Sequence, residues 1–530
     1  MTAPLKNRDA LVGTTEPMVR RVIGPLVSHS HRANREAVRG NAKKPLHVMK
    51  FGGTSVADAA CIKRVVEIVQ AALLESDVVV VVSAMSGVTN KLVEAAGQSE
   101  AGNRERVAAI FDELKDRHEV AADALIPSVE RRREITGQMD KLMQQASTLC
   151  DDAIRRRQLS LRARDSITGL GERLSAPLVA AALAERGVAS EAIEATEIVV
   201  TDGCHGAAEP HMDLTRQRCE ARLRPLLIHG TVAVVTGFIG ATVDGALTTL
   251  GRNSSDFSGT IVGAALDADE VTLWTDVDGI LTADPRVVPD ARPILAMSYN
   301  EASDLAKLGA KVLHPKTLRP VMERAIPLSI RNTFAPDRPG TKITAAGPCG
   351  ASEVKALAAA TDVALITLRG SGDKQAKHVL RRALSAAESA HTEARPMPHS
   401  AHSSSEVCIV VPGALLEPTA GALRREFADD LADGKLKRID LDSSVAVIAV
   451  VGESPLGMRE LAGRVLGALQ EEGLRVLADA NESSQSTISI VVAREHLKDA
   501  LVCVHRQLAL HEVRTAETPR PLSNPGSYTR

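Results

Sequence analysis

The sequence predicts an α/β protein with a mainly parallel core sheet, followed by two smaller α+β domains. From about residue 45 to 345, short apolar runs alternate with longer amphipathic segments, as strands connected by helices do. Several runs, such as the one at 77–84, are apolar almost throughout, which strands buried on both faces require. Beyond about residue 344, a β-α-β-β-α-β spacing occurs about twice, which is typical of ferredoxin-like α+β domains.

The composition is that of a globular protein, and it narrows the class of partner. The 530 residues are 44% hydrophobic and 25% charged, enough for roughly two to four domains. A net charge of −2 and 2% aromatic residues give no reason to expect nucleic acid or an anionic membrane as partner. The seven cysteines form no C-x-x-C pair, so we expect free thiols in a reducing cytoplasm.

Changes in composition and periodicity predict the domain boundaries. Residues 1–44 are rich in Arg and Lys and lack periodicity, so we expect a disordered basic tail. The α/β domain is predicted at 45–345, with a helical insertion at about 100–165. The two α+β domains are predicted at 346–435 and 436–516, and a loose tail at 517–530.

The stretch at 47–56 predicts a phosphate site. A short apolar strand ends at Lys50, turns at Gly52 and Gly53, and is followed by an amphipathic helix. Outward-pointing amides at a glycine turn, a helix N-terminus and a lysine together suit an anion. The pattern matches neither a Walker A loop nor a dinucleotide fingerprint. Taken alone, it is equally the pattern of an ordinary turn beside a surface lysine.

The string Lys-Phe-Gly-Gly-Thr-Ser-Val at 50–56 resembles the opening signature of the aspartate kinases, which have the amino acid kinase fold. Further segments resemble the family in the same order, strongly over about 46–343 and weakly over 353–515, where the family has paired ACT domains. The resemblance implies that Lys50 is catalytic. It also implies an ATP-binding set at this turn, which comprises Lys50, Gly52, Gly53 and Thr54.

Three further segments are similar to the family's amino-acid-binding motifs. The resemblance implies that Ser83 and Thr89, in the segment 83–90, face the amino acid, and that Glu172 receives its ammonium group. In the segment 249–258, it implies substrate contacts by Arg252 and Ser255. By themselves, the same residues would be interpreted as a capped turn, a glutamate that complements a helix dipole, and an N-capped helix.

The segment 249–258 also carries a predicted catalytic aspartate and a departure from the family. Asp256 is expected to orient Lys50 or a metal. Ser254 stands where the family has glycine, so we expect a side chain crowded into a turn that favours positive φ. This departure leaves the substrate open.

The segments 274–286 and 308–315 are similar to the family's nucleotide-binding motifs. The resemblance implies ATP contacts by Thr275, Asp276, Leu281 and Arg286, and a lysine on the phosphates that is also catalytic, Lys311. Taken alone, the Asp-Gly and Asp-Pro pairs of the first segment predict turns. We expect His314 to cap or pack rather than to catalyse.

The resemblance implies ATP-dependent phosphorylation of the side-chain carboxylate of L-aspartate, the first step towards lysine, threonine and methionine. ATP and Mg²⁺ are the implied cofactors, and the metal is expected to ride on ATP without a protein site. A carboxylate nucleophile is already ionised at neutral pH, so no general base is required. Two alternatives remain: a kinase for another acidic amino acid or carboxylate, and a degraded kinase kept as an amino-acid-binding regulator.

The ACT-like region implies a regulatory role and at least a homodimer, because such domains pair edge to edge. In the run at 484–489, the glutamate and asparagine of the family's effector motif are replaced. An amino-acid effector is therefore a possible partner whose identity the sequence leaves open.

Overall fold

The computed structural model describes residues 44–251, 254–308, 313–347, 354–370, 376–397, 399–400, 406–452, 457–481 and 487–511. The predicted tails, apart from Lys44, lie outside these ranges. Arg252, Lys311 and residues 484–486 of the predicted effector run at 484–489 also lie outside them.

The α/β part is built on an eight-stranded sheet with a small hairpin beside it. In chain order, its strands are β1 (Leu46–Phe51), β2 (Asp77–Val82), β3 (Ser190–Ile193), β4 (Val232–Thr236), β5 (Ile239–Ala241), β6 (Leu247–Thr249), β7 (Glu270–Thr275), β8 (Ala296–Ser298), β9 (Leu328–Asn332) and β10 (Thr341–Thr344). The sheet order is β3-β4-β2-β1-β7-β9-β10-β8, and β5 pairs with β6. All neighbours are parallel except β9 and β10, which confirms the predicted mainly parallel sheet.

The central strands are buried on both faces. In β2, Val78, Val80 and Val82 pack into one apolar core, whereas Val79 and Val81 pack into another on the opposite face. This alternation follows from the two-residue period of a strand. A sheet covered on both sides leaves its strand ends as the place where polar side chains can gather.

Helices cover both faces of this sheet. They are α1 (Ala59–Leu73), α2 (Val88–Ala101), α3 (Arg104–Leu125), α4 (Val129–Arg156), α5 (Leu161–Thr168), α6 (Leu170–Glu185), α7 (Met212–Ile228), α8 (Ser255–Ala265), α9 (Tyr299–Lys307) and α10 (Pro315–Arg324). No helix in the described ranges is long and apolar enough to cross a membrane.

The helical insertion corresponds to α3, α4 and α5. Side-chain caps mark where each helix begins: Asn103 accepts from the amide of Arg106, Ser128 from that of Arg131, and Ser160 from that of Ala163. The apolar stripes of α3 and α4 pack into the same core as α1 and α6. The insertion is therefore part of one face of the α/β domain.

The C-terminal part consists of two antiparallel sheets with helices. Its strands are β11 (Val354–Ala360), β12 (Val363–Gly370), β13 (Arg395–Met397), β14 (His399–Ser400), β15 (Glu406–Pro412), β16 (Leu436–Asp442), β17 (Val445–Gly452), β18 (Val476–Asn481) and β19 (Thr487–Ala493). Its helices are α11 (Ala376–Ser389), α12 (Leu416–Glu426), α13 (Ala428–Ala432), α14 (Met458–Glu471) and α15 (Leu497–Gln507).

The two sheets exchange strands relative to simple succession along the chain. One sheet has the order β13-β15-β12-β16, and the other has β11-β17-β19-β18-β14. Thus β16, which the predicted boundary at 435/436 assigns to the second α+β unit, pairs in the first sheet. Conversely, β11 lies within the predicted first unit at 346–435 but pairs with β17 in the second sheet.

The second sheet is fastened to the α/β domain through α9. Lys355 forms a buried ion pair with Glu301, with Nζ 2.7 Å from Oε2. Thr487 donates to Asp304 at 2.8 Å. The loop after β7 is fastened to the same unit, because the side chain of Thr282 lies 2.9 Å from His505 Nε2. The predicted nucleotide loop therefore touches the ACT-like unit directly.

Candidate active site

The predicted site residues that the structure describes cluster mainly at the carboxyl edge of the parallel sheet. Lys50 lies near the end of β1, Ser83 directly follows β2, and Thr275 ends β7. Because β2, β1 and β7 are parallel neighbours, their carboxyl ends lie side by side. This is the edge where ligands bind in open α/β sheets.

Lys50 is held by Asp256. The Nζ atom of Lys50 lies 2.5 Å from Oδ1 of Asp256, in the first turn of α8. The lysine side chain is only 6% exposed, while that of Asp256 is 29% exposed. The lysine stem packs against Gly259, where a Cβ would lie 2.9 Å from Lys50 Cβ. Asp256 therefore orients the lysine, one of the two roles that the sequence predicts for it.

The glycine turn fits tightly between two neighbouring strand ends. The amide of Gly52 donates to the carbonyl of Trp274 at 2.9 Å. A Cβ on Gly53 would lie 3.0 Å from the carbonyl oxygen of Ala84, closer than most side chains tolerate. Ser55 lies 2.6 Å from the hydroxyl of Thr333 and anchors the turn to the segment after β9. Close backbone approach thus favours glycine at position 53.

Ser83 and Ser255 join two of the predicted substrate segments. The hydroxyl of Ser83 donates to that of Ser255 at 2.7 Å. Its carbonyl accepts from the hydroxyl of Ser175 at 2.6 Å, a contact that the sequence analysis missed. Gly237 leaves no room behind this pair, because a Cβ there would lie 3.1 Å from that of Ser255. Thr89 is half-buried in the first turn of α2.

Glu172 is a buried carboxylate with one unused oxygen. It lies in the first turn of α6, is 3% exposed and accepts from the amide of Ala84 at 3.0 Å through Oε1. Its Oε2 finds no hydrogen-bond donor among the described residues. Burial raises its pKa to about 7, opposed by the Ala84 amide and by the charge of Lys50. A buried oxygen of this kind suits a cationic ligand group.

The predicted nucleotide residues follow β7. The hydroxyl of Thr275 donates to the exposed carboxylate of Asp276 at 3.1 Å. Leu281 is half-buried and forms an isolated antiparallel β-bridge with Pro293. The guanidinium of Arg286 is 70% exposed and pairs with its neighbour Asp284. The partner of Arg286 in the structure is therefore Asp284, and no hydrogen bond or ion pair links it to Lys50 or Asp256 among the described residues. No cluster of three or more His, Cys, Asp or Glu residues that could hold a metal occurs in the described part.

The structure contradicts the expected crowding at Ser254. Its φ is −93°, an ordinary value, and its hydroxyl donates to the carbonyl of Gly251 at 2.5 Å. Among the described residues of this turn, the positive φ falls on Gly251, at 101°. The side chain of Ser254 forms no capping hydrogen bond with α8. Its hydroxyl is occupied within the turn, so the serine gives no reason to doubt the substrate.

We therefore expect Ser254→Gly to leave substrate preference unchanged. The variant loses one hydrogen bond and gains freedom in the unfolded chain, so its stability should fall by about 1 kcal/mol. Thermal unfolding and kcat/KM for a panel of acidic amino acids test this, with Ser254→Ala as the matched control for the hydroxyl alone. A changed order of substrate preference in Ser254→Gly would contradict it.

A second buried carboxylate supports the turn that leads to Arg252, and the sequence analysis missed it. Asp165 is 2% exposed and accepts from Thr249 at 2.6 Å, from His205 Nδ1 at 2.7 Å and from the amide of Gly206 at 3.1 Å. These residues come from separate segments, so no local pattern reveals the cluster.

His314 caps α10 as predicted, because its side chain accepts a hydrogen bond from the amide of Lys316.

Comparison with known proteins shows to which family the chain is similar. A model of the amino acid kinase family matches residues 45–332, and an ACT domain model matches residues 448–508. The bifunctional aspartokinase/homoserine dehydrogenase of Haemophilus influenzae is 28% identical over 87% of this chain and 56% of that protein. Chloroplastic aspartokinase 1 of Arabidopsis thaliana is 35% identical over 56% of this chain and 52% of that protein. The chain spans about half the length of the curated relatives it matches.

Solved structures give the same placement over the whole described architecture. The E. coli aspartokinase III complex with aspartate and ADP (R-state) superposes with a TM-score of 0.70 at 26% identity, covering 88% of this chain and all of that chain. The complex of aspartokinase III with lysine and aspartate (T-state) gives 0.67 at the same identity, covering 87% and 99%. Because the family model spans more than half of the residues, the chain belongs to the amino acid kinase family.

Proposed function

We propose that this protein is an aspartate kinase, which transfers the γ-phosphoryl group of ATP to the side-chain carboxylate of L-aspartate. The observation that carries the proposal is the oxygen Oε2 of buried Glu172, which has no hydrogen-bond partner among the described residues. The carboxyl group lies close enough to Lys50 for the positive charge of the lysine to lower the pKa of Glu172. The carboxylate of Glu172 suits an ammonium ion, and the ammonium of Lys50 suits a phosphoryl group. The likeness to aspartokinase III in complex with aspartate and ADP supports the same assignment.

On the amino-acid side, Glu172 would accept the α-ammonium group. Arg252 would bind the α-carboxylate, since a guanidinium can donate two parallel hydrogen bonds to it. Ser83, Thr89 and Ser255 would provide hydroxyl contacts, and the bond between Ser83 and Ser255 fixes two of them relative to each other. These contacts would hold the amino acid by its backbone groups and leave the side-chain carboxylate free to react.

On the nucleotide side, the proposed set surrounds the glycine turn and the end of β7. Lys50 would meet the transferring phosphoryl group with Lys311. Amides of the glycine turn other than that of Gly52, which donates to the carbonyl of Trp274, would face the phosphates. The remaining contacts that we propose are those of Gly52, Gly53, Thr54, Thr275, Asp276, Leu281 and Arg286. Mg²⁺ would enter with ATP and supply positive charge at the phosphates. Because Arg286 pairs with Asp284 here, its contact requires that pair to open.

The chemistry asks little of the protein beyond position and charge. The attacking carboxylate of aspartate is ionised at neutral pH, so no residue has to remove a proton. Negative charge spreads over the transferring phosphoryl oxygens, and the ammonium of Lys50, oriented by Asp256, stabilises it there. The products are ADP and 4-phospho-L-aspartate.

A substrate panel tests the proposed function. We expect ADP release from ATP with L-aspartate but not with succinate, which lacks the ammonium group, or with L-asparagine, which lacks the reacting carboxylate. L-Glutamate should react at least about tenfold more slowly, because its carboxylate lies one carbon further from the anchoring groups. Faster turnover of another acidic amino acid would replace aspartate as the substrate, and no turnover of any would leave a binding protein.

We also propose a homodimer or larger assembly, built through the ACT-like units, with an amino acid as effector. The solved aspartokinase III complex with lysine makes lysine the first candidate. The bond between Thr282 and His505 offers a direct connection from the ACT-like unit to the nucleotide loop. Light scattering should give at least twice the monomer mass of 56.1 kDa. A monomer at micromolar concentration would contradict this, and an unchanged rate with lysine would exclude lysine as effector.

The proposed setting is the cytoplasm. The described cysteines are all free thiols, which fits a reducing compartment. Cell fractionation tests this proposal, and recovery of the protein outside the cytosolic fraction would contradict it.

A further inference from the structure

Arg117 connects the helical insertion to both loops of the candidate site. It lies on α3, far from these loops in sequence. Its Nη1 donates to the carbonyl of Ser86 at 2.7 Å, and its Nη2 donates to the carbonyl of Ala57 at 2.8 Å. One guanidinium therefore bridges two backbone segments that belong to different strand-to-helix connections.

These two carbonyls lie at sensitive points. Ala57 immediately precedes Asp58, which caps α1 after the glycine turn. Ser86 immediately precedes Gly87, whose φ of 81° starts α2. Each carbonyl thus lies at the start of a helix whose orientation depends on the preceding peptide. Holding both carbonyls fixes how each loop enters its helix.

The two loops already touch at Gly53. A Cβ on Gly53 would lie 3.0 Å from the carbonyl oxygen of Ala84 and 3.6 Å from Cα of Ser86. The glycine turn and the loop at 83–89 are therefore in direct backbone contact. Arg117 fastens the same two segments from the side of the insertion.

We propose that Arg117 is a positioning residue, which sets the distance between the glycine turn at 52–53 and the loop at 83–89. The proposal rests on the proposed function, because only a kinase needs these two loops in register. The guanidinium is planar and presents its donors in a fixed fork, so it holds both carbonyls at one separation. An error of about 1 Å in the alignment of two reacting groups can cost a hundredfold in rate.

The surroundings of Arg117 indicate that it is built to bind the backbone. Both acceptors are neutral carbonyls, whereas Arg106 on the same helix pairs with the carboxylates of Glu94 and Glu113. The next residue, His118, is fully buried, and its Nδ1 lies 2.6 Å from the carbonyl of Leu114 on the same helix. Arg117 therefore projects from a part of α3 that is packed into the core.

The kinetic test compares Arg117→Met and Arg117→Lys with Arg106→Met. Arg106 is the matched control, since its ion pair with Glu94 joins α3 to α2 and it touches neither loop. We expect both Arg117 variants to lower kcat at least tenfold and to raise KM for both substrates. Lysine at position 117 should not restore kcat, because one ammonium group cannot reproduce the two hydrogen bonds of the guanidinium fork. Arg106→Met should stay within twofold of wild type.

A second measurement does not depend on activity. Hydrogen exchange followed by mass spectrometry should show faster exchange at 52–60 and at 84–92 in Arg117→Met, and unchanged exchange there in Arg106→Met. Added guanidinium ion should restore part of the lost rate in Arg117→Ala without raising the melting temperature. Unchanged exchange in both segments, or wild-type kinetics in Arg117→Lys, would overturn the proposal. Absence of aspartate turnover in the wild type would defeat the proposed function, while the exchange result would still decide whether Arg117 joins the loops.

Discussion

Replacing Lys50 by alanine is expected to lower kcat at least about a hundredfold while the protein still folds. The lysine ammonium lies at the carboxyl edge of the sheet, beside the glycine turn, where negative charge would develop on the transferring phosphoryl group. Because the side chain is almost fully buried and held by Asp256, its charge is already oriented before substrate binds. Steady-state ADP release with saturating ATP and aspartate measures the effect.

The control is Lys63→Ala, an exposed lysine on α1 that follows the same turn. It removes the same charge from the net total but does not touch the site, so its kcat should remain near that of the wild type. Circular dichroism and thermal unfolding establish that both variants fold. Near wild-type turnover in Lys50→Ala would show that the phosphate site is assigned to the wrong residues.

Replacing Glu172 by glutamine should raise KM for aspartate at least about tenfold and change KM for ATP much less. The reason is that glutamine keeps the bond to the Ala84 amide but removes the negative charge that an ammonium group needs. A charged hydrogen bond contributes about 1.5–3 kcal/mol, which corresponds to roughly ten- to a hundredfold in binding. A change confined to KM for ATP would mean that Glu172 does not bind the amino acid.

The pKa of Glu172 predicts a pH dependence with a definite sign. Burial raises this pKa to about 7, so the free enzyme loses the charged form as the pH falls below about 7. KM for aspartate should therefore rise as the pH is lowered from 8 to 6 in the wild type. The same profile should be flat in Glu172→Gln. An identical pH profile in both proteins would contradict the assignment.

The same carboxyl group links stability to pH. The folded protein holds the Glu172 proton more tightly than the unfolded chain, in which the pKa lies near its ordinary value of 4.5. This contribution to stability is therefore fully present below about pH 4.5 and is lost as the pH rises through about 7. Relative to Glu172→Gln, the wild type should lose up to about 3 kcal/mol of unfolding free energy between pH 5 and pH 8. Denaturant titrations at the two pH values measure this difference.

The sequence predicts the mainly parallel α/β fold well because the fold depends on local patterns. Buried strands such as β2 appear as continuous valine runs, and the glycine turn stands between a strand and a helix. Lys50 and Asp256 lie in separate motifs, and their pairing follows once both strand ends face the same edge of the sheet. The predicted parallel order therefore brings together groups that are about two hundred residues apart.

Other features could not be predicted because they depend on long-range packing. The β-α-β-β-α-β spacing gives the order of elements along the chain but not which strands pair, so the placement of β11 and β16 was not foreseen. The resemblance placed Ser254 at a glycine position, yet Ser254 has an ordinary negative φ, and Gly251 has a positive one. Arg117 and Asp165 bind atoms from distant segments, and neither stands in a motif.

Trapping the product with hydroxylamine tests the central claim most directly. An acyl phosphate reacts with hydroxylamine to give a hydroxamate, whereas simple hydrolysis of ATP gives none. With ATP, L-aspartate and hydroxylamine, the wild type should form aspartyl hydroxamate in the same molar amount as ADP, and Lys50→Ala should form almost none. ADP release without hydroxamate, or equal hydroxamate formation by Lys50→Ala, would contradict the assignment of this site as the place where the aspartate carboxylate is phosphorylated.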